Sequence, residues 1–188
     1  MKKEIELTAM PTPNPNSIKF MVEATFLESG SINFVSKEDA KTSILPKALF
    51  EIEGLVGVMV GTNFVSITKT TEAGWENILE EATNLIKEKA SLDEPIVDQS
   101  LIKKAQDQGQ EDNEIVRKIK TILDDEIRPA IAMDGGDCEF ISFEDGIVQL
   151  QLQGACSSCP SATMTLKMGI ESRLKEDIPE VKEVVQVV

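Results

Sequence analysis

Apolar and polar positions change period several times along the chain, and each change marks an element. Residues 18–23, IKFMVE, read as a strand. They follow PTPNPNS, residues 11–17, a turn-rich lead-in where proline fixes φ and asparagine tolerates tight turns. Leu45, Ala48, Leu49 and Ile52 fall on one face of a short helix. VGVMVG, 56–61, and FVSITK, 64–69, are rich in β-branched residues and predict a hairpin through Thr62 and Asn63. Trp75, Ile78, Leu79, Ala82, Leu85 and Ile86 keep helical spacing and predict a helix over 75–90. Residues 1–91 therefore make a first α/β domain of ordinary size.

The character shifts at residues 92–112, a polar, acidic stretch with few apolar anchors that reads as a linker, with one weak helical turn near Leu101–Ala105. A second domain occupies 113–188. Ile115, Ile119, Ile122, Leu123 and Ile127 predict an amphipathic helix stopped by Pro129. MDGGD, 133–137, is a turn, with Asp134 and Asp137 in the usual turn-forming role of aspartate beside glycine. CEFISF, 138–143, and IVQLQLQ, 147–153, are strands joined by Asp145-Gly146, a strong hairpin signal. Val148, Leu150 and Leu152 alternate with glutamines, so one face of that strand is buried and one wet. After GACSSCPSA, Ala162, Leu166, Ile170 and Leu174 mark a helix, and 181–188 a last strand. The fold class is α/β (α+β): two small domains on a polar linker, the second running helix–strand–strand–helix–strand with a CxxC turn.

Charge narrows the partners. The chain carries −14 overall, with −4 in residues 1–91, −4 in 92–112 and −6 in 113–188. No segment is basic, which argues against a nucleic-acid partner. No run of apolar residues is long enough to span a membrane. The opening MKKEIELTAM lacks an apolar core and a cleavage site, and Glu4 and Glu6 argue against a transit peptide. The expectation is a cytoplasmic protein with reduced thiols.

Histidine is absent. Imidazole general-base chemistry, the Ser-His-Asp and Cys-His arrangements and histidine-dependent zinc sites are thereby excluded. Chemistry falls to the three cysteines. Cys156 and Cys159 sit where a strand ends and a helix begins; Gly154 lets the chain bend and Pro160 suits the first helical position. Backbone N–H groups and the helix dipole favour thiolate there. Three readings fit the spacing: a dithiol–disulfide redox pair, a metal or iron–sulfur site shared between two chains, or a buried structural pair. One chain alone falls short of four ligands.

The neighbouring motifs discriminate. DGGD at 134–137 after Arg128-Pro129, GACSSCPSA at 154–162, TLK at 165–167, GIE at 169–171 and IPEV at 178–181 resemble the C-terminal domain of NifU, shared by the Nfu iron–sulfur scaffolds and carriers. Residues 11–20, PTPNPNSIKF, through the helix after Trp75 resemble the Nfu N-terminal domain. The resemblance implies a non-enzymatic scaffold or carrier in which Cys156 and Cys159 of two protomers hold a bridging four-iron four-sulfur cluster. The implied partners are a second copy of the chain, upstream assembly proteins, and apo iron–sulfur proteins as acceptors. Cys138 departs from the family's apolar residue after DGGD and is expected to pack as a small hydrophobe. Met164 and Met168, spaced i, i+4, are expected to fill the core or shield the cluster, and Asp124-Asp125-Glu126 to be solvated helix surface.

Overall fold

The computed structural model describes residues 5–92, 94–98, 100–101, 113–157 and 164–187, and 160–163 as backbone. The chain divides into two compact units.

The first unit is an antiparallel five-stranded sheet in the order β1-β2-β5-β4-β3. Its strands are β1 (Leu7–Pro11), β2 (Ser17–Val22), β3 (Ser31–Phe34), β4 (Leu55–Gly61) and β5 (Phe64–Lys69). Helices α1 (Ile44–Leu49) and α2 (Trp75–Ala90) complete it. Alternation selects the core face: Phe20, Val22, Val58, Val60, Val65 and Ile67 are buried against Leu45 and Leu49 of α1 and Ile78, Ala82 and Ile86 of α2. The central hairpin and α2 fall where the periodicity puts them. The two edge strands are additions. β1 is mostly exposed, and β3 buries only Phe34 fully. The asparagine–proline lead-in is the loop between β1 and β2, closed by Thr12 donating to the Asn14 and Ser17 carbonyls at 3.0 Å each. Ile96 and Val97, within the stretch whose composition reads as linker, are buried in this core, and Leu45 N donates to the Ile96 carbonyl at 3.1 Å. The weak turn expected near Leu101–Ala105 lies almost wholly outside the described residues.

The second unit opens on α3 (Glu114–Ile122), whose first turn is capped by Asn113 Oδ1 accepting from Val116 N at 2.9 Å. Pro129 does not stop it. A π-turn over Leu123–Ile127 follows, with Arg128 N donating back to the Leu123 carbonyl, and α4 (Arg128–Met133) continues the helix. The wider turn accommodates the proline, which has no N–H to give and would crowd the carbonyl four residues back. Next come β6 (Gly136–Glu144), β7 (Ile147–Gly154), α5 (Pro160–Asp177) and β8 (Glu183–Gln186). β6 and β7 pair antiparallel through Asp145-Gly146, whose φ values of 53° and 89° suit a tight hairpin. β8 pairs parallel with β7, so α5 is the crossover between them. Val148, Leu150 and Leu152 point into a core with Ile119, Ile122, Ile131, Ile170 and Leu174, and the glutamines between them stay half-exposed. Among the described residues no helix is long and apolar enough to cross a membrane.

Candidate functional site

The cysteine turn grows out of the end of β7. Gly154 lies opposite Gly136 in the ladder and adopts φ 63°, the left-handed region in which glycine escapes the Cβ penalty. The chain then folds back on the segment before β6: Ala155 N donates to the Gly135 carbonyl at 3.1 Å. Ser157 closes the turn by donating its N–H, at 3.2 Å, and its hydroxyl, at 2.9 Å, to the Gly154 carbonyl. Helix α5 starts at Pro160.

Cys156 is folded inward, only 6% exposed, and Gly136 makes room for it. A Cβ at Gly136 would lie 2.4 Å from Cys156 Sγ and 3.1 Å from the Gln153 carbonyl oxygen. Cys159 lies outside the described residues. Cys138, a free thiol, shares the same core and is 2% exposed. Burial, then the charge of Asp137, pushes its thiol up to about 12, so it stays protonated across the physiological range. It packs as the small hydrophobe its strand position suggests. Among the described residues no three side chains of the metal-binding types gather.

Asp137 is not a turn-former. Its carboxylate is buried and takes both arms of Arg128, Nε to Oδ1 and Nη2 to Oδ2 at 2.8 Å each. It also accepts from Cys138 N at 2.7 Å. Arg128 reaches Asp124 at 3.0 Å as well, which gives one residue of the acidic run a partner. The pair ties α4 to the start of β6 and so holds Gly136 behind Cys156. Glu126 of the same run pairs with Arg173 of α5 at 2.6 and 2.7 Å.

Two further points depart from expectation. Met164 and Met168 do not fill the core; both face outward. Gly136 and the Arg128–Asp137 pair escaped sequence reasoning as parts of the site. The doubled glycine of DGGD carried a signal, since glycine in a strand often marks close approach by another segment.

The chain matches the family model "Scaffold protein Nfu/NifU N terminal" over residues 7–93 and "NifU-like domain" over residues 119–185. It is 41% identical over 177 residues to the human NFU1 iron-sulfur cluster scaffold homolog, mitochondrial, covering 94% of this chain and 69% of that protein. Against the Drosophila persimilis protein of the same name it is 39% identical over 187 residues, covering 99% and 66%. Against NifU-like protein 5, mitochondrial, of Arabidopsis thaliana it is 38% identical over 189 residues, covering 98% and 69%. The chain thus spans about two thirds of the length of these relatives. All three are named mitochondrial, and this corrects the cytoplasmic expectation drawn from the opening residues. With both domains matched in order and about 40% identity along almost its whole length, the chain belongs to the Nfu/NifU family of iron–sulfur cluster scaffold proteins.

Proposed function

We propose that this protein holds a four-iron four-sulfur cluster between two copies of itself and passes it to apo iron–sulfur proteins. Cys156 and Cys159 of each copy supply the four thiolates that such a cluster takes. The observation that carries this is the seating of Cys156 in a built turn, its thiol set against Gly136, in a chain with no histidine. The cluster is cargo, and the protein turns nothing over. Two thiolates from each of two chains at a turn leave the cluster open to an acceptor's own cysteines, so release proceeds by stepwise thiolate exchange. Upstream assembly proteins supply the cluster. The relatives' names favour a mitochondrial setting.

The division of labour follows the chain. Residues 1–91, whose core also takes in Ile96 and Val97, are a ligand-free domain and 113–188 the cluster-binding domain, because residues 1–112 hold neither cysteine nor histidine. Anaerobic reconstitution with iron and sulfide tests the assignment. The wild-type chain is expected to turn brown and to carry both elements, whereas the Cys156→Ala and Cys159→Ala variants stay colourless. A dithiol–disulfide oxidoreductase or a zinc-bridged module would give colourless wild-type protein after the same treatment.

A further inference from the structure

Helix α5 has apolar side chains on two sides, and its own unit covers one. Ile170 and Leu174 are buried in the core with Leu166 packed against it. On the outward side Met164 is 68% and Met168 64% exposed. Thr165, Gly169 and Ser172, exposed on the same side, carry no charge. Lys167 and Arg173 reach off the helix, to Glu183 at 3.5 Å and to Glu126 at 2.6 Å, while Lys175 pairs with Glu171 within it at 2.5 Å and the exposed Glu176 and Asp177 lie in its last turn, beyond Met168. A Cβ at Gly169 would meet nothing within 4 Å, so the strip is open there. Met133, 76% exposed, ends α4 two residues before Gly135, whose carbonyl holds Ala155. Exposed methionines thus precede and follow the cysteine turn in the chain.

We propose that this outward face of α5, centred on Met164 and Met168, is where a second copy of the chain packs when the two cysteine turns meet. The inference rests on the bridging reading above. That reading leaves each chain short of ligands, so the molecule that brings the missing thiolates lands beside this turn. Two copies at −14 each repel one another overall. A neutral strip lets them touch, and a two-fold contact sets the strip against its own copy, which suits an uncharged patch better than one of a single sign. Methionine is flexible and polarisable and repacks readily against a facing copy, and the open glycine lets the second backbone come close.

The test uses the full chain, reconstituted anaerobically with iron and sulfide and sedimented. Two double variants are compared, Met164→Lys with Met168→Lys, and Met164→Glu with Met168→Glu. Both positions of change are exposed, and circular dichroism of the apo chains checks that the fold is kept. Each double variant alone is expected to dimerise at least about tenfold more weakly and to lose cluster in proportion. Mixing the two in equal amounts is expected to restore both, because lysine then faces glutamate. Wild-type dimerisation and loading in either double variant, or no recovery on mixing, overturns the proposal. Failure of the wild-type chain itself to dimerise on loading would instead sink the bridging reading.

Discussion

The thiol of Cys156 occupies the space where a side chain at Gly136 would begin, with only 2.4 Å between Sγ and a Cβ built there. Real atoms do not come that close. The glycine is required by this neighbour, since Gly136 is not among the residues of positive φ.

Gly136→Ala should therefore push the cysteine turn off the end of β7. The expected cost is about 1–3 kcal/mol of stability, the range for overpacking a close-fitted site, together with most of the bound cluster. Gly169→Ala is the control, since its Cβ meets open space. It should raise the stability of the apo chain by about 0.5–1 kcal/mol, as alanine does in an exposed helix position. Urea melts of the two variants check both signs, and equal effects would refute the steric account.

Asp137 depends on Arg128 for its charge partner. Arg128→Ala would leave a buried carboxylate without its guanidinium, and the loss should reach about 3 kcal/mol, at the low end for a broken buried pair because Arg128 is itself about one-third exposed. Arg128→Lys should recover part of this, since an ammonium pairs with the carboxylate but cannot span both oxygens. Denaturation midpoints in the order wild type, Lys, Ala are expected. An alanine variant as stable as the wild type would show that the pair does not anchor β6.

Cys138 should betray its burial at high pH. Its thiol is held protonated up to about 12 in the fold, against an ordinary value of 9.0, so the unfolded chain releases its proton first. The contribution is whole below pH 9 and is lost as pH rises from about 9 toward 12. Cys138→Val should flatten that part of the stability profile while costing under about 1.5 kcal/mol at neutral pH and leaving cluster content unchanged. Loss of more than half the iron from folded Cys138→Val protein would place this sulfur among the ligands.

What was legible in the chain was whatever one period could carry. The alternation at Val148, Leu150 and Leu152 and the helical spacing from Trp75 to Ile86 each sorted buried from exposed positions correctly. β1 and β3 were not legible because an edge strand pairs on one side only; β1 stays largely wet and leaves no alternation to read. Pro129 misled for a different reason. Proline forbids an ordinary helical hydrogen bond, but a single π-turn absorbs it, and no local pattern announces that turn. Asp137 was misread because its partner is nine residues away, and an ion pair across that span has no periodic mark. Ile96 and Val97 were too few in a polar stretch to register, though the first core buries both.

The most direct test of the bridging account is sedimentation of the anaerobically reconstituted chain with iron and sulfide counted on each species. The account predicts a dimer with about four irons and four sulfides per pair of chains, and iron-free monomers for Cys156→Ala. With three cysteines per chain, a monomer holding a whole cluster by four of its own thiolates is impossible. A holo protein that sediments as a monomer with a full complement of iron would contradict it.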